Sequence, residues 1–140
     1  MIEIKNIEKS FDGISTIKDI STSFEKGKTN LIIGQSGSGK TVLLKCLLGL
    51  HEPDSGQIIY DGISNQMMSE SERTLLRRQM GMVFQGSALF DSMTILENVM
   101  FPMQINEIFQ ERKKATAILS DIGLGHRINN LPSELSGGQQ

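Results

Sequence analysis

This 140-residue sequence predicts an α/β fold, on three observations that follow one another along the chain. Asn30-Leu31-Ile32-Ile33 is a short apolar run of the buried-strand type, and a glycine-rich loop begins directly after it at Gly34. Val42, Leu43, Cys46, Leu47 and Leu50 then recur at helical spacing. The length is that of one domain of ~100–150 residues. With 38% hydrophobic and 21% charged residues the chain is neither a disordered polar tail nor, at 14 Gly and 3 Pro, collagen-like or low-complexity.

Ahead of the glycine loop, Ile2, Ile4 and Ile7 mark one short strand and residues 14–24 a second β-rich stretch, followed by a turn at Glu25-Lys26-Gly27-Lys28. The helix after the loop stops near Gly49 and Pro53. A turn at 52–56 leads to a strand, Gln57-Ile58-Ile59-Tyr60, and the Asp61-Gly62 pair then enters a tight turn. Ser69 and Glu72 have capping-box spacing and start a helix that runs through Arg78. Its Arg73, Arg77 and Arg78 read as a solvated face beside Glu70 and Glu72. Met82-Val83-Phe84 is a short apolar strand ending at Gln85, and Thr94 with Glu97 forms a second capping box for a helix reaching toward Phe101-Pro102. Ile108, Ala115, Ile118, Leu119 and Ile122 form a last helical stripe that stops at Gly123. No internal repeat and no dividing linker is evident.

Fourteen Lys plus Arg against sixteen Asp plus Glu give a net charge of −2, with the signs interspersed. That leaves no basic footprint for nucleic acid. The single Cys46 cannot close an internal disulfide, and the N-terminus lacks a signal layout, so a reducing cytoplasm is expected. The most apolar stretch, 42–50, is broken by Lys45 and far shorter than the ~20 residues a bilayer span needs, so any membrane role is peripheral. His51 and His126 sit in surroundings that suggest a turn and a loop rather than metal ligands.

Gly34-Gln35-Ser36-Gly37-Ser38-Gly39-Lys40-Thr41 fits the Walker A pattern. Its glycines let the backbone curl around phosphate oxygens with N–H groups pointing inward, and the following helix aims its positive dipole end at the same anion. Lys40 can reach the β- and γ-phosphates, while the Thr41 hydroxyl suits Mg²⁺ bridging phosphate oxygens. An apolar strand before the loop and an amphipathic helix after it supply the context the motif requires. By itself this defines a P-loop NTPase or kinase.

The last residues, Leu135-Ser136-Gly137-Gly138-Gln139-Gln140, resemble the LSGGQ signature of ATP-binding cassette (ABC) ATPases, and Leu131-Pro132-Ser133-Glu134 is similar to the family's approach to it. Ser136 can cap a helix whose first N–H groups, with Gly137 and Gly138, present a second anion-binding surface. The resemblance implies a P-loop NTPase fold with an N-terminal β-rich subdomain and a helical subdomain: 1–85 as the core part with Walker A, and 86–140 as the helical part. It places Gln85 at the Q-loop, touching Mg²⁺ and the attacking water, and Phe11 at the aromatic position that stacks on adenine. The other reading of Phe11 is a core aromatic of the N-terminal sheet. Gln35, Ser36, Ser38 and Gln139 join the nucleotide-binding set by the same resemblance, with ATP and Mg²⁺ as cofactors.

Residues 87–102 are similar to the corresponding stretch of Mla-type phospholipid-transport ATPases, which implies lipid-type cargo. The implied function is the energy-coupling subunit of a membrane transporter, peripheral on the inner face of the cell membrane. It would pair head-to-tail with a second copy and contact a permease through 86–103. Met80, Met82, Met93, Met100 and Met103 lie in or near that region, either as an adaptable docking surface or as subdomain core. Two alternatives are a soluble ABC ATPase of translation or DNA repair and a nucleotide-binding fragment without catalysis. The family continues past the signature with a Walker B strand, a catalytic Glu and a switch His, so the chain is expected to be truncated before the Walker B strand, with weak nucleotide binding and negligible turnover.

Overall fold

The computed structural model describes Met1 to Gln140 except Gln85 and Ser87. Two compact units form, Met1–Gly81 and Met82–Gln140.

The first unit is a four-stranded antiparallel sheet with a helix on its apolar face. Strands β1 (Ile2–Phe11), β2 (Ile14–Phe24), β3 (Ser55–Tyr60) and β4 (Ile63–Ser64) pair in the order β2-β1-β3-β4. Asp12 and Gly13, between β1 and β2, both take positive φ (49° and 78°), and Asp61 and Gly62, between β3 and β4, do the same (47° and 90°). Those are the backbone angles of the two-residue hairpin turn that matches strand twist. The register of β1 on β3 slips between Lys5 and Glu8, and Gly56 sits at the slip with φ 79°. A Cβ there would lie 2.2 Å from the Asn6 carbonyl oxygen, so only glycine fits the bulge.

Helix α1 (Lys40–Leu47) lays Leu43, Cys46 and Leu47 on Ile4, Ile7, Ile17, Ile58 and Tyr60. Tyr60 donates its hydroxyl to the Leu47 carbonyl at 2.6 Å, which satisfies the one polar atom it brings into the core. Burial pushes its phenol up to about 12 and raises the Cys46 thiol as well. Helix α2 (Glu70–Arg78) opens with the capping box expected of Ser69 and Glu72, and its arginines pair with carboxylates, Arg73 with Glu52 at 2.9 Å and Arg77 with Glu70 at 2.7 Å.

In the second unit α3 (Ile95–Ile105) and α4 (Glu111–Asp121) enclose a core of Ile95, Leu96, Ala115, Leu119, Leu124 and Leu135. Thr94 and Glu97 form the second capping box, and α3 continues through Pro102 instead of ending there. Met100 and Met103 pack on this core and Met80 on that of the first unit, so these three serve as core. Only Ala115 and Leu119 of the last helical stripe are buried: Ile108 is 37%, Ile118 45% and Ile122 63% exposed.

Two expected strands are corrected. Segments 30–33 and 82–84 carry no strand ladder, and Leu31, Ile33 and Val83 are 80%, 84% and 98% exposed. Both runs are of the kind buried on both faces of a parallel sheet, and such a strand exists only through its neighbours. Among the described residues none pairs with either run, and the sheet that does form is antiparallel.

Candidate functional site

The glycine loop leads directly into α1. Gly37 and Gly39 hold φ of 79° and 88°, where a side chain is strained. A Cβ on Gly39 would also stand 2.7 Å from the Thr16 carbonyl oxygen of β2, so the loop's exit is pressed against the sheet. Gly39 is the N-cap of α1 and has no side chain to bond the helix's first N–H groups. Those donors and the positive end of the helix dipole are therefore left for an anion. Lys40 turns its ammonium back over the loop, donating to the carbonyls of Gly34 at 2.8 Å and Gln35 at 2.7 Å. The loop is thereby held in a curl with a cation at its mouth, and Thr41 is exposed on the first turn beside it. Ser38 closes the curl by donating its N–H to the Gln35 carbonyl at 3.3 Å.

At Gly39 the loop packs against β2 too closely for a side chain, and the α1 N-terminus is left uncapped, as a phosphate group there would require. Among the described residues no group of three or more His, Cys, Asp or Glu could hold a metal ion. A Mg²⁺ here would depend on phosphate oxygens, with the Thr41 hydroxyl as the chain's own ligand.

Phe11 ends β1 and is 39% exposed, so it is not a core aromatic. The ring of His51 meets it edge-on, centroids 5.5 Å apart at 69°, and the Lys9 ammonium stands 5.5 Å from its centroid. Lys9 is tied to Asp54 at 2.6 Å, and the other carboxylate oxygen of Asp54 accepts the Ser10 N–H at 2.7 Å. These bonds, the Lys9 side chain first and the Ser10 N–H next, hold the Asp54 carboxyl below its usual range. Phe11 pairs with Ile14, and Thr16, two residues further along β2, touches Gly39. Two residues of strand are about 7 Å, so the strand end that carries Phe11 lies near the phosphate loop.

In the second unit, Ser136 starts a single turn and no helix is present there. Gln139 and Gln140 donate their N–H groups to the Ser136 carbonyl at 2.8 and 3.1 Å, and the Gln139 side chain accepts the Ser136 N–H at 3.1 Å. The amide of Gln140 donates to the Pro132 carbonyl at 2.6 Å. Gly137 and Gly138 are exposed, and nothing lies within 4 Å of where their Cβ atoms would be. Gly137 also borders an open concavity of about 580 Å³ with Val83, Phe84 and Gly86. The Gln85 assignment lies outside the described residues.

Sequence reasoning passed over Lys9 and Asp54, and it placed His51 in a turn without its ring contact to Phe11. It passed over Asp12-Gly13, although that dipeptide is a hairpin signal. It also missed Asn98, a buried polar side chain whose Oδ1 accepts the Phe90 N–H at 2.8 Å. Its Nδ2 reaches the carbonyls of Phe90, Met93 and Thr94 at 3.0–3.1 Å, pinning the segment before α3.

A glycine cradle at an uncapped helix N-terminus, with a lysine over it and a hydroxyl beside it, defines the P-loop class of phosphate-binding proteins. Residues 17–140 match the ABC transporter family, and the chain belongs to that family. It is 43% identical to the "Glutamine transport ATP-binding protein GlnQ" of Escherichia coli (strain K12), covering 100% of this chain and 59% of GlnQ. The "L-cystine import ATP-binding protein TcyC" of Bacillus subtilis (strain 168) is 41% identical, with 100% and 59% covered. A dimeric solved structure, the ATP-binding cassette MJ0796 in a post-hydrolysis state bound to ADP and Pi, superposes with a TM-score of 0.84 at 31% identity, covering 99% of this chain and 65% of that one. The chain thus spans less than two thirds of the length of these relatives.

Proposed function

We propose that this chain is an ATP-binding part of the energy-coupling subunit of a membrane ABC transporter. The observation that carries the reading is the loop of residues 34–39, held against β2 with Lys40 over its mouth and the α1 N-terminus uncapped. In this reading the loop and α1 N–H groups bind the phosphates, Lys40 exchanges its carbonyl partners for phosphate oxygens, and Phe11 takes the adenine. Thr41, with Gln85 of the resemblance, would hold Mg²⁺, and Gln35, Ser36 and Ser38 would line the phosphates. Mg²⁺ supplies charge neutralisation across the phosphate oxygens when bound.

Ser136, Gly137, Gly138 and Gln139 present their turn to the nucleotide of a second copy; the dimeric state of the solved relative supports that partner. Hydrolysis and transport belong to the whole protein, with a permease docking on 86–103 at the inner membrane face. No helix among the described residues is long and apolar enough to cross a membrane. The relatives are named for glutamine and cystine transport, which favours amino-acid import; the lipid-type cargo expected from 87–102 finds no support among them. A soluble role in translation or repair is likewise not favoured.

Calorimetric titration of the chain with Mg²⁺–ATP tests the reading. Saturable binding is expected, weakened roughly 10- to 100-fold by Lys40→Ala through loss of a charge-assisted bond. Absence of binding by the unaltered chain, or equal binding by the variant, refutes it.

A further inference from the structure

The ring of Phe11 is not supported by its own strand alone. The segment leaving α1 folds back on the end of β1: Asp54 donates its N–H to the Glu8 carbonyl at 2.8 Å, and its carboxylate takes both the Lys9 ammonium and the Ser10 N–H. This lacing brings His51 edge-on to Phe11, while His51 itself is only half-buried. An exposed aromatic at a strand end would sample several rotamers; a ring packed against it at 5.5 Å removes most of that freedom before any ligand arrives. Lys9, tied to Asp54, adds a fixed cation to the same ring. The helix that follows the phosphate loop therefore carries, on its exit segment, the ring that packs against Phe11.

We propose that His51 is a positioning residue for purine-nucleotide binding: it holds the Phe11 ring in place for the base, and so sets the base's share of the affinity without touching the phosphates. This rests on the nucleotide-binding reading above.

The test compares ATP with inorganic tripolyphosphate, which has the phosphates and no base, by calorimetry on the full chain. Three proteins are measured: the unaltered chain, His51→Leu, which keeps apolar bulk but removes the ring, and His51→Phe, which keeps a ring. The unaltered chain should bind ATP more tightly than tripolyphosphate. His51→Leu should weaken ATP roughly 2- to 10-fold, the range of one edge-to-face aromatic pair, leave tripolyphosphate unchanged, and His51→Phe should restore ATP binding. An unchanged ratio of the two affinities in His51→Leu, whether both fall together or neither moves, overturns the proposal while leaving the nucleotide reading intact. Failure of the unaltered chain to bind either compound refutes that reading and the proposal with it.

Discussion

The loop of 34–39 and the turn of 136–139 are both glycine-bearing curls of backbone, yet they are built by opposite means. The first is a tertiary object: Gly39 is wedged against the Thr16 carbonyl of another strand, and Lys40 is folded back onto the loop it follows. The second is held by bonds between near neighbours in sequence, Gln139 to Ser136 and Gln140 to Pro132, with open space around both glycines. One surface is specified by what lies behind it, the other by its own side-chain amides. A substitution in the first should therefore damage the unit that carries it, whereas the second should tolerate change without loss of fold.

Gly39→Ala gives the largest expected effect on this contrast. Its Cβ has no room beside the Thr16 carbonyl and φ is positive, so the first unit should lose about 3 kcal/mol and nucleotide binding should vanish. Gly137→Ala, with nothing within 4 Å, should leave the melting transition in place. Thermal melts of both variants by circular dichroism decide the matter, and equal losses would erase the distinction.

The second unit has its own buried polar anchor in Asn98, bonded to the segment just before α3. Asn98→Ala strands the Phe90 N–H and the carbonyls it served and should cost about 2 kcal/mol. Denaturant unfolding measures this, and hydrogen exchange should speed up at 90–96 and not in the sheet.

A smaller effect separates the units by pH. The phenol of Tyr60 titrates near 12 when folded against 10.0 ordinarily, so its stabilising contribution is fully present below pH 10 and is lost as pH rises through about 12. It is the chain's single tyrosine, so tyrosinate absorbance reads it directly. The midpoint should fall to about 10 in denaturant, and Tyr60→Phe should flatten the alkaline limb of the first unit's stability curve. A native midpoint near 10 would mean that Tyr60 is not held in the core.

What could be read from the sequence is what neighbouring residues decide among themselves. Ser69 with Glu72 and Thr94 with Glu97 start their helices where expected, because both halves of each box lie within one turn. Asp61-Gly62 turns β3 into β4 because both residues accept positive φ. The order of glycines ahead of Lys40 and Thr41, and the signature at 135–139, named the class of site before any fold was known.

Tertiary structure decided the remainder, for one physical reason: those features need a partner distant in sequence. Residues 30–33 and 82–84 have strand-like composition, yet a strand without a ladder is only extended chain, and Leu31 and Val83 stay exposed. His51 reads as a turn residue until Asp54, bonded across to Lys9 and Ser10, brings it against Phe11. Local chemistry determined the capping boxes, the hairpin turn and the order of residues in the glycine loop; long-range packing determined that Gly39 lies against β2 and that His51 meets Phe11.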